Sequence, residues 1–424
     1  MPNEYRRRII DATLDELFPH FAAVSIDGAR AIGKTSTARE RAETVINLDL
    51  PEVRAVVEAD PAYIGRALTP VLIDEWQMIP EVWDRVRRLV DDDSTGGRFI
   101  LAGSASPQGA RIHSGAGRIV SFRMRPLSIA ERGLAKPTVR IADLLDGGSK
   151  PVEGRSSVEL PEYVYEIVAS GFPQARLMPT RARQVWLDNY LGRVVTHDFT
   201  QQGQPIRQPE ALMGWLRGYA KATATSTTWV KVAANVDPGE SSPPAASTAL
   251  RYRDVLNSLF LLDQVDAWSP GKSILARTSH SPKHFLVDPA LAVRLLDLDE
   301  AKLMSATRGA QNTGDRSRLG AFFEALVALS LKTYAAANDA SLSHFRDRDG
   351  SREIDFIIHR GDATAVAIEV KLKATITDDD VRHLLWLRDT LPNTIVDMLV
   401  ITTGSYAYRR PDGVAVVPLA LLTA

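Results

Sequence analysis

One short segment, GARAIGKT at residues 28–35, has the residue types and spacing of a phosphate-binding loop, G-x-x-x-x-G-K-[ST]. Gly28 and Gly33 permit a tight turn with inward-pointing amides, and the helix that follows turns its positive N-terminal end towards an anion. Lys34 is expected to reach the β- and γ-phosphates of a nucleotide, and the Thr35 hydroxyl is expected to bind Mg²⁺. The predicted nucleotide-binding residues of the loop are Gly28, Ala29, Arg30, Ala31, Ile32, Gly33, Lys34, Thr35 and Ser36.

A second set of candidate residues follows an apolar run, TPVLIDEWQ at residues 69–77, which predicts a buried strand ending in an acid pair. Asp74 is expected to hold the Mg²⁺, and Glu75 is expected to polarise an attacking water. The alternative is a buried strand that ends in a solvated acid pair. A third apolar run, RFILAGSAS, ends in Ser104 and Ser106, either of which would lie near the γ-phosphate unless the serines only form a turn.

Three arginines lie close together in the segment GAGRIVSFRMRPLSIAERG (115–133). They are Arg118, Arg123 and Arg125, and one of them could be an arginine finger that stabilises charge on a transferring phosphoryl group. Arg118 is the preferred candidate because it follows a flexible pair of glycines. It would act within its own chain or on a neighbouring subunit. The alternative is a solvated basic edge.

A separate group of candidates lies near the C-terminal end, in SREIDFIIHRGDATAVAIEVKLKA (351–374). The apolar positions predict a two-stranded hairpin, which Asp355, Glu369 and Lys371 interrupt. Glu369 and Lys371 are two residues apart and therefore share one face of a strand, and Asp355 on the partner strand can lie opposite them. An apolar helix predicted upstream contains Glu324, and a carboxylate in such a setting needs a partner or a metal.

This ordered set of a helix acid, a strand acid and E-x-K resembles the PD-(D/E)-x-K pattern of nucleases. The resemblance implies that Asp355 and Glu369 are metal ligands and that Glu324 is the acid carried by the first helix. Lys371 would then orient or deprotonate a water, or stabilise charge at phosphorus. Oxygen ligands of this kind suit Mg²⁺ or Mn²⁺. The alternative is an ion-paired remnant that keeps the fold without cutting nucleic acid.

The candidate residues need elements and domains to position them. Residues 22–26 form a short apolar run before the loop, as is typical of a buried parallel strand. The chain has 424 residues, 45% of them hydrophobic and 24% charged, which predicts a globular protein of two or three domains. The net charge of −1 indicates no general affinity for polyanions, although a local basic face is compatible with it. The sequence has no cysteine, which excludes disulfides and thiolate metal sites.

The order of motifs along most of the chain resembles that of a widespread prokaryotic family. Those proteins join an AAA-like ATPase domain to a C-terminal region of unknown function. The motifs that carry the resemblance are GARAIGKT, LIDEWQ, ILAGSAS, GRIVSFRMRPLSIAE, GFPQA and WLDNYLGRVVTHDF. Family loops often read G-P-R-Q-x-G-K, whereas Ala29 and Ala31 stand here at the Pro and Gln positions, neither of which supplies phosphate chemistry. The resemblance implies ATP rather than GTP.

These observations predict an α/β protein of three parts. An AAA-like P-loop NTPase domain with a parallel sheet and a helical lid is expected over 1–200, a winged-helix-like domain over 201–300, and a restriction-endonuclease-like α/β domain over 301–424. Arg251 and Arg253 would be exposed on the third helix of the middle domain. They would read DNA there, unless the domain makes protein contacts or spaces its neighbours.

The primary functional hypothesis is Mg²⁺-dependent ATP hydrolysis coupled to a C-terminal module that binds or cleaves nucleic acid, with Mg²⁺ or Mn²⁺ at the C-terminal site. The alternative is an ATP-controlled switch that binds a protein or DNA partner through an inactive nuclease-like fold. The sequence does not distinguish DNA from RNA or fix an oligomeric state. The charged N-terminal stretch lacks the apolar region of a signal peptide, and no apolar run approaches the length of a membrane span, so a cytoplasmic protein is expected.

Overall fold

The computed structural model describes residues 5–104, 116–148, 150–199, 208–235, 244–268, 281–308, 313–347, 350–361 and 364–424. The chain forms two compact units. The first comprises the described residues up to Arg125 together with Leu256–Leu261. The second comprises the described residues of Pro126–Val255 and Leu262–Ala424.

The observed division differs from the predicted domains. The first boundary follows Arg125 rather than residue 200, because the next segment bonds within the second unit, where the Leu127 amide donates to the Gly171 carbonyl over 2.8 Å. The helices between residues 160 and 199, predicted as the lid of the ATPase domain, belong to the second unit. No boundary follows residue 300 in the described structure, because one sheet combines strands from both sides of it.

The first unit is an α/β domain. Its strands are β1 (Ala23–Asp27), β2 (Thr44–Asn47), β3 (Val71–Asp74), β4 (Phe99–Gly103) and β5 (Ile119–Arg123). Its helices are α1 (Ile9–Leu17), α2 (Lys34–Arg39), α3 (Pro51–Ala59), α4 (Tyr63–Arg66) and α5 (Glu81–Asp92). Short 3₁₀ turns span Phe18–His20 and Trp76–Met78.

The five strands form a parallel sheet in the order β2-β3-β4-β1-β5. Asp27 at the end of β1 lies in register with Gly103 on β4 and with Arg123 on β5. The carboxyl ends of the strands therefore meet at one edge, which is where open α/β sheets bind ligands.

Apolar side chains hold this sheet against its helices. Strands β1, β3 and β4 are buried along their whole length, as the continuous apolar runs predict. Helix α5 buries Val82, Trp83, Val86 and Val90, a helical spacing that directs one face into the core. The rings of Trp83 and Trp76 lie 4.9 Å apart between centroids, so the core continues beneath the acid pair that follows β3.

The second unit is built mainly around one mixed sheet. Its strands are β6 (Val139–Arg140), β7 (Gly154–Arg155), β8 (Asp266–Ala267), β9 (Ser341–Arg346), β10 (Glu353–Arg360), β11 (Thr364–Lys371), β12 (Ile395–Thr402), β13 (Tyr406–Arg409), β14 (Ala415–Pro418) and β15 (Leu422–Thr423). The main sheet has the order β7-β13-β14-β12-β11-β10-β9-β8, and β15 pairs separately with β6.

The helices of the second unit lie before and between these strands. They are α6 (Ile129–Arg132), α7 (Ile141–Leu145), α8 (Leu160–Ala169), α9 (Pro173–Arg176), α10 (Thr180–Arg193), α11 (Pro209–Lys221), α12 (Trp229–Ala234), α13 (Ala246–Ser258, whose last residues join the first unit), α14 (Pro289–Leu295), α15 (Glu300–Arg308), α16 (Thr313–Ala336) and α17 (Asp378–Thr390). A π-helical turn spans Val194–Asp198 and a 3₁₀ turn spans Leu419–Leu421.

The predicted hairpin is present as β10 and β11. The strands pair antiparallel, with Phe356 opposite Ile368, so the next position places Asp355 opposite Glu369. Helix α17 packs against β11 and β12, which run parallel to each other. The turn of the hairpin begins at Gly361, and the two residues after it lie outside the described part of the chain.

The middle of the chain follows the order helix, bridge, helix, helix and hairpin. Thr223 after α11 pairs with His284. Beyond α13, Leu262 pairs antiparallel with Leu286, and Val265 pairs with Lys283. Residues 201–207 and 236–243 lie outside the described part of the chain.

Helix α16 is long and apolar. Within the described residues, its stretch Arg318–Ala336 is long and apolar enough to cross a membrane, and 72% of that stretch is buried inside the protein. Core helices meet the same criterion, so this stretch gives only weak evidence for a membrane span.

Candidate functional site

The phosphate-binding loop connects β1 to α2. Gly33 has a φ of 101°, which favours glycine, and Ala31 has a φ of 64° in the left-handed region that non-glycine residues rarely adopt. A Cβ atom on Gly28 would lie 2.4 Å from the Met124 carbonyl oxygen, so only glycine fits there. The structure therefore requires the two motif glycines. It holds Ala31, whose position supplies no phosphate chemistry, in a strained turn.

Lys34 is the first residue of α2 and is only 7% exposed. Its Nζ donates hydrogen bonds to the carbonyl oxygens of Gly28 and Ala29, both over 2.8 Å. Burial lowers the pKa of Lys34 to about 8, against the opposing effect of carboxylates that include Glu75 and Asp74. The ammonium is thus held by two neutral acceptors, which an anionic phosphate could replace.

Thr35 and Asp74 meet at the carboxyl edge of the sheet. The Thr35 hydroxyl donates to Asp74 Oδ1 over 3.0 Å. Burial raises the pKa of Asp74, although the Thr35 bond opposes this shift. A hydroxyl beside a carboxylate is the donor set that suits Mg²⁺, so these residues fit the ion that a P-loop site uses.

Glu75 follows β3 with a φ of 52°, and its side chain is held by neighbours. Gln77 Nε2 donates to Glu75 Oε2, and Ser104 Oγ donates to the same oxygen over 3.4 Å. Arg30 Nε donates to Ser104 Oγ over 3.3 Å. The structure thus brings predicted residues Glu75, Ser104 and Arg30 together, whereas Ser106 lies outside the described residues.

Gln77 is a site residue that the sequence reasoning missed. Its Nε2 bonds both Glu75 and Ser104, the latter over 3.1 Å. The signal was available, because Gln77 stands two residues after Glu75 in LIDEWQ and the 3₁₀ turn Trp76–Met78 brings it back towards that acid.

The N-terminal segment also supports the loop, which its sequence does not indicate. Arg8 Nη1 donates to the Ile32 carbonyl over 3.0 Å, and Arg8 Nη2 donates to the Arg125 carbonyl over 2.7 Å. The Tyr5 hydroxyl lies 2.9 Å from Thr37 Oγ1 on α2. These contacts tie the segment to the loop, to α2 and to the chain just after β5.

Arg118 does not reach the nucleotide site of its own chain. Ile119 pairs with Ala23 at the amino end of β1, so Arg118 lies at the edge of the sheet opposite the loop. Its Nε donates to Asp91 Oδ1 over 2.8 Å in an exposed ion pair. The choice of Arg118 as a finger within one chain is therefore wrong, and Arg123 is the arginine of this strand that lies at the loop edge.

The acids predicted near the C-terminal end gather around a lysine that the sequence reasoning did not select. Lys283 is 1% exposed, and its Nζ donates to Glu324 Oε1 over 3.0 Å and to Asp355 Oδ1 over 3.1 Å. Glu353 Oε1 lies 3.2 Å from the same nitrogen. Burial alone would lower the pKa of Lys283, but the three carboxylates raise it well above its ordinary value.

The other two predicted residues form the adjoining part of this acid cluster. Asp355 Oδ2 accepts from the Val370 amide over 2.9 Å, and Lys371 Nζ donates to Glu369 Oε2 over 2.6 Å. Burial raises the pKa of Glu369 to about 8, and the Asp355 charge adds to the shift. Burial also raises the pKa of Glu324 to about 8, against the effect of Lys283.

The predicted metal site at Glu324, Asp355 and Glu369 does not fit this arrangement. Glu324 and Asp355 are bonded to the Lys283 ammonium, and Glu369 is bonded to Lys371. Across the part of the chain that the structure describes, no group of three or more His, Cys, Asp or Glu side chains could hold a metal ion. The donor set is right for Mg²⁺ or Mn²⁺, but a lysine occupies the position between the donors.

The two arginines predicted on the third helix of the middle segment lie on α13. Arg251 is exposed. Arg253 bonds Asp254 over 2.8 Å, and its guanidinium lies 5.5 Å from the centre of the Trp229 ring. Arg251 is therefore the more accessible of the pair.

The loop, the acid pair and the parallel sheet define the first unit as a P-loop ATPase domain. Residues 20–132 match the family described as an AAA domain, which confirms the predicted ATPase. Two families described as domains of unknown function match residues 160–302 (DUF8612) and 319–422 (DUF4143).

Curated relatives extend over almost the whole chain. Uncharacterized proteins of Mycobacterium bovis and Mycobacterium tuberculosis are each 26% identical over 427 residues, covering 94% of this chain and 85% of theirs. Among solved structures, a Walker-type ATPase of Pyrococcus abyssi is 14% identical, with a TM-score of 0.40, over 69% of this chain and 96% of that one. The ORC2 protein of Aeropyrum pernix is 14% identical, with a TM-score of 0.30, over 73% of this chain and 96% of that one.

Proposed function

We propose that this protein is an ATP-controlled switch, in which the N-terminal domain hydrolyses Mg–ATP and its nucleotide state controls what the second unit binds. The observation that carries this proposal is the contact between Thr35 and Asp74 at the end of a loop that also buries Lys34. The Thr35 hydroxyl, the Asp74 carboxylate and the Lys34 ammonium thus lie at one edge of the sheet. This arrangement supports nucleotide binding and turnover.

The residues of the site have separate roles in this proposal. Lys34 exchanges its two carbonyl acceptors for phosphate oxygens. Thr35 and Asp74 would hold Mg²⁺, which supplies positive charge that offsets the negative charge on the phosphates. Glu75 orients the attacking water, and Gln77 and Ser104 keep its carboxylate in place.

Two substitutions test the ATPase part by separating binding from turnover. Lys34→Ala should abolish measurable nucleotide binding, because it removes the cation that meets the phosphates. Glu75→Gln should retain binding and lower kcat by about 10²-fold or more, because the amide cannot accept a proton from water. Binding is measured with a fluorescent ATP analogue and turnover by phosphate release.

Lys150→Ala is a suitable control, because the ammonium of this half-exposed lysine forms surface ion pairs with Asp143 and Asp146. It should behave as the unchanged protein does. ATP hydrolysis by the Lys34→Ala and Glu75→Gln variants at the rate of the unchanged protein would refute this assignment of the site.

The second unit is proposed to bind a nucleic acid without cutting it. The order of α11, the Thr223 bridge, α12, α13 and the following hairpin supports a winged-helix-like segment, with Arg251 exposed on its third helix. The anisotropy of labelled duplex DNA mixed with the Glu75→Gln protein should differ between samples with ATP and samples without ATP. If the anisotropy changes with neither the nucleotide state nor the salt concentration, a protein partner is favoured instead.

Cleavage of nucleic acid is the second candidate function. It is favoured by the convergence of Glu324, Asp355 and Glu369, in the order that the nuclease pattern implies. If it occurs, Mn²⁺-dependent cleavage of plasmid DNA should disappear in Glu369→Ala. The position of Lys283 inside the acid cluster supports binding without cutting.

A further inference from the structure

We infer that the Lys283 ammonium is the resident cation of the acid cluster, and that the cluster takes up no divalent metal while this lysine is present. The inference deepens the proposed binding role of the second unit, and rests on it for its biological meaning. It concerns metal binding alone, so it can fail while the ATPase assignment stands.

The first support is the number of contacts that the ammonium makes. A lysine ammonium has three N–H donors. Lys283 Nζ lies 3.0, 3.1 and 3.2 Å from carboxylate oxygens of Glu324, Asp355 and Glu353 respectively. The nitrogen therefore occupies the shared centre of three acids, where a cation of another kind would have to sit.

The spacing of these oxygens is the second support. Oxygen ligands lie about 2.0–2.1 Å from Mg²⁺ and about 2.3–2.6 Å from the larger Ca²⁺. The contacts with Glu324 and Asp355 are hydrogen bonds, and the Glu353 oxygen forms an ion pair at a similar distance. The cluster is thus shaped for an ammonium and would have to contract around a metal.

The third support is that the main chain fixes the lysine in place. The Lys283 amide donates to the Val265 carbonyl over 2.9 Å, and the Val265 amide donates to the Lys283 carbonyl over 3.0 Å. The Nζ atom also lies 5.6 Å from the centre of the Phe356 ring, a cation–π distance. Only 1% of the surface of Lys283 is exposed.

The test is Mn²⁺ binding by the nucleotide-free, full-length protein, followed by electron paramagnetic resonance. Asp74→Asn is included throughout, so that the N-terminal site does not contribute. The protein with Lys283 should bind no Mn²⁺ at the acid cluster. Lys283→Gln should gain at least about tenfold in Mn²⁺ affinity, and a further Asp355→Asn change should remove the gain.

Lys332 provides a matched control. It is also buried and bonds Asp263 Oδ1 over 2.9 Å, but its other acceptors in that site are the carbonyls of Asp263 and Gln264. Since the contacts described for Lys332 include one carboxylate rather than three, Lys332→Gln should gain no Mn²⁺ site. A gain in both variants would mean that any buried lysine masks a metal site, and would overturn the inference.

A second measurement covers the case in which Lys283→Gln folds poorly. Mn²⁺ should raise the melting temperature of this variant, or restore its folding, while leaving the Lys283 protein unchanged. If the variant cannot be recovered, the protein with Lys283 decides alone. If that protein binds Mn²⁺ and loses it on Asp355→Asn, the inference is overturned, and if it binds no Asp355-dependent Mn²⁺, the inference is supported. A folded Lys283→Gln protein that binds no Mn²⁺ also overturns the inference.

Discussion

Each of the two units contains a buried lysine near carboxylates, but the pKa of one lysine is lowered and the pKa of the other is raised. Lys34 bonds two main-chain carbonyls, and burial lowers its pKa to about 8. Lys283 forms ion pairs with three carboxylates, which raise its pKa despite its burial. Similar residue types are thus arranged for different purposes in the two sites.

The difference shows that the first partners of a buried cation decide what it can still bind. Neutral carbonyls leave most of the Lys34 charge uncompensated, so an incoming phosphate gains a strong charge-assisted bond. The carboxylates around Lys283 already compensate its charge, so an incoming anion gains little there and an incoming cation must displace the lysine. A lysine near acids therefore indicates a functional site only when its bonds are known.

The largest expected effect that tests this comparison is on stability. Lys283→Met should lower the free energy of unfolding by about 3–5 kcal/mol, because it leaves the largely buried carboxylates of Glu324 and Asp355 without their cation. Lys34→Met should change it by less than about 1 kcal/mol, because only two bonds to carbonyls are lost and a desolvated charge is removed with them. Urea denaturation of the full-length variants measures both values.

A double variant sharpens this result. Adding Asp355→Asn to Lys283→Met should recover part of the loss, because it removes one of the unpaired charges. Similar losses for Lys283→Met and Lys34→Met would show that the two lysines do not differ in the way the contacts indicate.

The nucleotide site was predictable from the sequence because its determinants are local. The loop residues are contiguous, and an apolar run before Asp74 places that acid at the same sheet edge as the loop. Lys283 was not predictable, because it lies 41 residues before Glu324 and 72 residues before Asp355 along the chain. No periodicity links such positions, and backbone pairings such as that of Val265 with Lys283 position the lysine in the folded chain.

The next effect concerns the pH dependence of ATP binding. The Lys34 pKa of about 8 lies below its ordinary value of 10.5, so the lysine loses its proton as the pH rises through 8. Since phosphates bind the protonated form, affinity should be constant below that pH and about tenfold weaker at pH 9 than at pH 7. Titrations with a fluorescent ATP analogue at these pH values measure the change.

Lys34→Arg is the matched variant for this prediction. A guanidinium keeps its charge throughout this range, so the variant should bind more weakly but with a flat pH profile. If the ATP affinity of the unchanged protein does not fall between pH 8 and pH 9, Lys34 does not lose its proton in this range and the prediction is wrong.

The smallest expected effect concerns Arg118, and it tests whether the first unit holds all of its own catalytic groups. Arg118→Ala should leave ATP turnover within about twofold and stability within about 0.5 kcal/mol, because the exposed pair with Asp91 contributes little. A residue just before a parallel strand lies at the edge away from the loop, so the register with β1 already argues against a role within the chain. A large loss of turnover, dependent on protein concentration, would instead mean that Arg118 completes the site of a neighbouring subunit.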